Sequence, residues 1–597
     1  MPVLLNEFLT TSSNLALIAI SAMNPKLIFI AVLPFLFAAC AQQSVKLPQK
    51  PVEKPVAELP PPSPKLPDIA LSEDLLFEFL LAEISGQRGN LGIATESYLD
   101  MAKKTQDARI VSRALDVSLF SGNVSDALEM AQLLTKLDPA STRARQALSS
   151  LLVHSGNLDE AQPNIERLLS QQGGENLDRS LLQLDSLFAK QPDKKATLSA
   201  IQALTKPYLD HPEAHYALAI AAWRAQQREL ALGEIKQAAS MRPGWELAAQ
   251  LHEQILEQSA RAEVQPFLED FLAKYPKSEE VRLNYAKFLV AERKFTQARK
   301  EFVTLKKIFP ENQDVSFAIG LLSLQLGDID SAISGFTDLL QHGFKDPDLA
   351  RYYLGQAYEL GKNPSEATKW YQSVEKGGQY LPAQVRIATI LVEQGHLSKA
   401  RAHLHEIHTN DPQQNIFLIQ AEAQMLHDAK DYNGAYAILE KGLEQFPESP
   451  NLLYDEAMAA EKIGEIDKSE KSLKKLIQLQ PNFAQAYNAL GYTLVEHTTR
   501  YDEALPLLEK ALELSPEDPY ILDSMGWLQY RMGNVPSSLE YLRRAFSGHR
   551  DPEIAVHLAE VLWTQGKHGE ARKLLQSSLK ENPGNEILAK SLKKFMP

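Results

Sequence analysis

Apolar residues recur three and four positions apart through most of the chain, and the whole pattern repeats every 33 to 36 residues. Its sharpest copy starts at Ala484. Tyr487, Leu490 and Leu494 fall on one helical face, and Ala504, Leu508 and Ala511 fall on one face of the next segment. That spacing is the helical period, so each copy predicts two amphipathic helices and no strand. The next copies carry Leu522, Met525, Leu542 and Ala545, then Leu558, Leu562, Ala571 and Leu575. In the same frame, units begin near Leu75, Ala108, Thr142, Pro212, Trp245, Glu279, Gln313, Asp348, Leu381, Ile416 and Pro450. A degenerate one lies between Asn176 and Asp210, for about fifteen in all.

Small and helix-breaking residues keep the same register. Pro139, Pro243, Pro276, Pro310, Pro412, Pro447, Pro481, Pro516 and Pro583 stand where second helices should close, since proline cannot continue a helix and turns the chain out of it. Gly320, Gly355 and Gly491 on first helices, with Ala332, Ala367 and Ala504 on second ones, are expected where two backbones approach closely. No single unit can enclose a core; stacking creates it. The prediction is an all-α helical solenoid over 72–583, closed by a capping helix over 584–597. On that last helix Ile587, Leu588, Leu592 and Phe595 share an apolar face, and Lys590, Lys593 and Lys594 turn away.

With Leu490-Gly491, Ala504, Ala511 and Pro516 in place, the unit resembles the tetratricopeptide repeat (TPR), a helix-turn-helix of about 34 residues. The resemblance implies a superhelix that binds extended peptides or partner domains in a groove lined by first helices. In the family frame, the second, fifth, ninth, twelfth and thirteenth positions face that groove. Over the last units this places Asn488, Tyr492 and Glu496 beside Tyr520, Asp523, Trp527, Tyr530 and Arg531, then Val556, Glu560 and Trp563. Tyr, Trp and Arg dominate interface hot spots. Asn488, Tyr492, Asp523, Trp527, Tyr530, Arg531 and Trp563 are therefore expected to form an exposed protein-binding patch. The competing expectation is that some of these rings pack against neighbouring helices. The Lys/Asn pattern by which chaperone-binding clamps grip a terminal carboxylate is absent.

The N-terminus follows a different grammar. Leu27 to Ala39 is an apolar run behind Lys26, too short to span a bilayer but suited to the core of a secretory signal. It ends Leu36-Phe37-Ala38-Ala39-Cys40, which resembles the lipobox of bacterial lipoproteins, with Phe37 where leucine is preferred. The resemblance implies cleavage before Cys40 and lipidation of its thiol. Residues 1–22 carry Glu7 and no basic residue, so a start at Met23 fits a signal better than one at Met1. Residues 1–39 read as signal peptide and 40–71 as lipidated cysteine and tether. Pro48, Pro51, Pro55, Pro60, Pro61, Pro62, Pro64 and Pro67 favour an extended conformation there. At ~3.1 Å per residue it reaches roughly 80–90 Å. Ala41, Gln42 and Gln43 after the cysteine imply, by the same resemblance, the outer membrane with the protein facing the periplasm of a Gram-negative bacterium.

Composition narrows the function. A net charge of -14 argues against nucleic acid as a partner, because phosphate contacts need clustered Lys and Arg. Cys40 is the single cysteine, so no intramolecular disulfide and no cysteine-rich metal site can form. No nucleophile elbow, phosphate loop, dinucleotide fingerprint or paired-histidine zinc motif occurs. His403, His405 and His408 are the one histidine cluster, with His405 and His408 a helical turn apart; a polar outer face is the expected reading. No cofactor and no catalytic residue is expected.

The run Asn488-Ala489-Leu490-Gly491-Tyr492, with Tyr501-Asp502-Glu503-Ala504 and Ile521-Leu522-Asp523-Ser524-Met525-Gly526-Trp527, goes beyond a generic repeat. With lipobox and tether, the chain resembles the large outer-membrane TPR lipoproteins of proteobacteria, of which the best understood are LbcA-type adaptors. The resemblance implies binding of a periplasmic carboxyl-terminal processing protease and its clients, cell-wall hydrolases. The alternative is a TPR scaffold for polysaccharide secretion or pilus assembly. An enzyme is the remaining rival, and the missing catalytic domain counts against it.

Overall fold

The computed structural model describes residue 67 and residues 69–375 and 377–595. The signal, Cys40 and nearly all of the tether lie outside the described residues. Thirty-one α-helices follow one another with no strand among the described residues. In sequence they amount to fifteen first-and-second pairs and a final single helix, Glu586–Phe595. The chain divides into two compact units at the turn after Asp328. Fifteen helices from Glu73–Gln87 to Gln313–Gln325 belong to the first, and sixteen from Ile329–Gln341 onward to the second. Among the described residues no helix is long and apolar enough to cross a membrane.

Local chemistry explains the helix boundaries. Many first helices begin on a side-chain cap: Asp518 accepts hydrogen bonds from the backbone N–H groups of Tyr520 and Ile521, at 2.9 and 3.3 Å. Proline then occupies the first turn, as Pro347, Pro450, Pro519 and Pro552 do, where its missing N–H costs nothing. Between the two helices of most pairs the chain places a residue in the left-handed region. Glycine supplies it at several turns, as Gly464 (φ 81°) and Gly533 (φ 85°) do, while Arg293 and Lys430 carry the same strain at φ 57° and 62°. A Cβ on Gly533 would meet nothing within 4 Å. Gly533→Ala is therefore expected to cost about 1–2 kcal/mol through the backbone alone, read as increased hydrogen exchange in the helices flanking that turn.

The core is a file of small interfaces. The fourth residue of most second helices is a fully buried alanine, such as Ala127, Ala298, Ala400, Ala504 and Ala571. Opposite it, a Cβ on Gly355 would lie 2.6 Å from the Tyr371 ring, and one on Gly491 would lie 2.7 Å from Leu508. The glycines are thus needed, but a side chain of the second helix fills the space they leave. The close approach expected at these positions is present: a Cβ on Gly491 would also lie 3.5 Å from the Ala504 carbonyl oxygen. Pro412 is reassigned. The second helix before it stops early, at His405, and Pro412 opens the next helix, Pro412–Asp428.

The degenerate unit is loose. Its helices Glu175–Phe188 and Lys194–Thr205 pack on Pro212–Arg224 more than on each other. Thr197 stands where most second helices have alanine. At the other end, Leu588 and Phe595 seat the final helix against helices Pro552–Thr564 and His568–Glu581. Ile587, expected on the same apolar face, is half exposed instead.

Candidate protein-binding surfaces

Helices Ala484–His497, Pro519–Arg531 and Pro552–Thr564 are the first helices of three successive pairs in the second unit. Their facing side chains meet. Trp527 lies flat on the His557 ring, with centroids 4.3 Å apart and planes 16° from parallel, and its indole Nε1 donates to Glu496 at 2.9 Å. The Asp523 carboxylate takes the His557 Nδ1 at 2.9 Å. The Tyr492 hydroxyl donates to Glu553 at 3.1 Å, a contact from the first of these helices to the third. Burial pushes the Tyr492 phenol upward in pKa, and Glu553, Glu496 and Asp523 add to it. Arg531 sits 3.8 Å from Glu496 and stacks above Tyr501.

This arrangement changes the reading of the patch. Trp527 is only 7% exposed and Asp523 is buried, so neither is the exposed anchor expected of it. The rings close on one another because the three helices approach on this side, and stacking indole on imidazole removes both from water. Tyr492, Tyr530, Arg531 and Asn488 remain half-buried, and the Asn488 amide oxygen has no hydrogen-bond partner among the described residues. Trp563 stands apart from the cluster, between His568 at 4.1 Å and Phe595 at 4.9 Å, where it packs the end of the solenoid. His557 is the residue that sequence reasoning missed. Its signal was the four-residue step from Glu553, which puts both on one helical face.

A second surface lies at the other end, in the first unit. Helix Glu73–Gln87 buries only Ala82 and Ser85. Its two inner glutamates are engaged inward: Glu78 pairs with Lys104 at 2.7 Å, and Glu83 with Arg113 at 3.4 Å and with the Tyr98 hydroxyl. Most of the large apolar side chains nevertheless stay exposed. Phe77 is 67% exposed and Leu80 49%, with Leu76, Phe79, Leu81 and Ile84 beside them. Helices of a solenoid normally turn such residues inward. Exposed apolar faces of this kind commonly belong to interaction sites. The sequence did signal it, because Leu75 to Ile84 holds more large apolar residues than one buried face can use.

Comparison with known proteins bears on the repeats. Tetratricopeptide repeat models match residues 317–382, 426–491, 484–518 and 524–586. A TPR repeat-containing protein of Pseudomonas aeruginosa is 33% identical over 545 residues, which cover 90% of this chain and 91% of that one. The chain belongs to the TPR family. Cellulose synthase operon protein C of Pseudomonas fluorescens is 21% identical over 300 residues, covering 47% of this TPR chain and 23% of that protein. Among solved structures, yeast Tom70 aligns over 88% of this chain and 95% of its own at 15% identity and a TM-score of 0.34. A thermophilic TPR protein of Thermus thermophilus aligns over 29% and 95% at 22% identity and a TM-score of 0.28.

Within the TPR frame the remaining polar clusters read as pins between helices. The expected turn from His405 to His408 does not form, because the helix ends at His405. His405 instead bonds Glu422 at 2.8 Å, alongside Arg401 at 2.7 Å. Among the described residues, Asp178, His211 and Glu213 form a group with metal-ligand spacing, their ligand atoms all within 4.8 Å. Arg242 already pairs with the buried Glu213, and Glu213 lies in the first turn of a helix. A guanidinium and the positive helix end both oppose a divalent cation there. Glu253, buried and bonded to Asn284 at 3.1 Å, has its pKa pushed up to about 7 by burial.

Proposed function

We propose that this TPR protein is a lipid-anchored, periplasm-facing scaffold without chemistry of its own. Its work is to bring a carboxyl-terminal processing protease together with cell-wall hydrolase clients. The observation that carries this reading is the outward apolar face of helix Glu73–Gln87, directly after the proline-rich tether. A surface of that kind at the membrane-proximal end is placed to hold one protein, while the file of repeats beyond it offers separate area for another. The resemblance to LbcA-type adaptors supplies the identity of the partners. The similarity to a cellulose synthase operon protein favours the second reading, a scaffold for polysaccharide secretion, over about half of the chain.

The test uses the full lipidated chain in detergent with purified protease and a hydrolase client. Degradation is expected to be faster with the lipoprotein present, and both proteins are expected to co-purify with it. Equal rates with and without it, together with no detectable binding, would overturn the adaptor reading and favour secretion components in the same pull-down. Cys40→Ser is expected to yield an unprocessed precursor without acyl label; normal cleavage and labelling of that variant would remove the anchor from the proposal.

A further inference from the structure

Three successive first helices share one histidine. The His557 ring, on helix Pro552–Thr564, is only 7% exposed. It is bonded to Asp523 and stacked on Trp527, both from helix Pro519–Arg531. On its far side the Tyr492 ring, from helix Ala484–His497, stands 6.3 Å away. Each neighbour suits a cation. Asp523 supplies a carboxylate, the indole face supplies the π-cloud that holds cationic rings, and Glu496 and Glu553 complete an acidic surround.

We infer that His557 is a proton-operated clasp: its imidazolium draws the inner faces of the last three repeats together around Trp527, and loss of the proton loosens them. This goes beyond the scaffold reading and does not depend on it. The groups facing the imidazole come from every side. Asp523 faces it from helix Pro519–Arg531, Glu496 and the Tyr492 phenol from helix Ala484–His497, and Glu553 from its own helix. The charged side chains of the other elements packed nearby pair elsewhere: Arg543 with Glu570, Arg544 with Glu517, and Lys594 with Glu560. Among the described residues, Arg531 is a further cation near the cluster, and it lies 3.8 Å from Glu496.

Burial by itself would push the imidazole pKa down. The charge of Asp523, its hydrogen bond to the ring, and the charges of Glu553 and Glu496 together outweigh that, so the net shift is upward. For a raised pKa the sign follows directly. The clasp contributes its full stability below the ordinary imidazole value of about 6.5 and loses it as pH rises through the folded value. Neutral imidazole keeps the stack but gives up the attraction to three carboxylates, so the three helices then repel one another's acids less well compensated.

The indole reports the proton, because a stacked imidazolium quenches its emission. The chain has five tryptophans, and subtracting the emission of Trp527→Phe from that of the wild-type full chain isolates the one at 527. That difference signal is expected to be weak in acid and to recover with a midpoint above the ordinary imidazole value. Hydrogen-exchange protection across residues 484–564, taken relative to the intrinsic amide rate at each pH, is expected to fall over the same interval, with that of the first unit unchanged. His557→Gln, which retains a polar side chain without charge, is expected to show no such transition and to exchange fast at every pH. Asp523→Asn is expected to move the midpoint down by about one unit or more, and it keeps the test decisive where His557→Gln does not fold. A Trp527 signal flat between pH 5 and 9, a midpoint below the ordinary value, or an unshifted midpoint in Asp523→Asn would each overturn the clasp.

Discussion

Ala504→Trp is expected to cost about 3 kcal/mol and to damage the solenoid only near the substitution. Ala504 has no exposed surface, and the position facing it, Gly491, has Leu508 and the Ala504 carbonyl within contact of any added Cβ. An indole there has nowhere to go except by pushing helices Ala484–His497 and Tyr501–Leu514 apart. Because each repeat touches little beyond its neighbours, the loss should stay local. Hydrogen exchange is expected to rise across 484–531 and to remain at the wild-type level in the first unit. A uniform rise along the whole chain would contradict the one-dimensional picture.

The paired substitution Phe77→Asp and Leu80→Asp is expected to leave folding almost unchanged and to weaken capture of the partner protein severely. Both side chains are exposed, so charge there costs the fold within about 0.5 kcal/mol. As interface anchors, each would contribute about 2 kcal/mol or more, so affinity should fall by well over thirtyfold. Thermal melts of the two proteins should superimpose while binding of the solubilised partner is lost. Unchanged affinity would remove helix Glu73–Gln87 from the interface and leave the scaffold reading to rest on the repeats alone.

The two surfaces differ in how far the chain's own pattern announced them. The helix at Glu73 carries its message in composition: too many large apolar residues for one buried face. The C-terminal patch was expected to be exposed, and part of it is not. Tyr492, Asp523 and Trp527 do lie on facing first helices, but Trp527 and Asp523 are shut in by His557. Repeat register places a residue on a face of a helix. It says nothing about how tightly successive helices close, since that depends on the summed volumes of side chains several repeats apart.

By itself, then, the sequence determined the all-helical class, the repeat length, the fifteen helix pairs and the seats of the small residues. These follow from period, helix breakers and the lack of room beside a helix backbone, all of which are local or reach only the next helix. Tertiary structure alone decided that helix Glu175–Phe188 leaves its partner, that Ile587 faces out while Trp527 faces in, and that one imidazole joins three repeats. The Tyr492 to Glu553 contact spans 61 residues. No periodicity of three or four encodes such a distance; the packing of three successive first helices brings the two groups together.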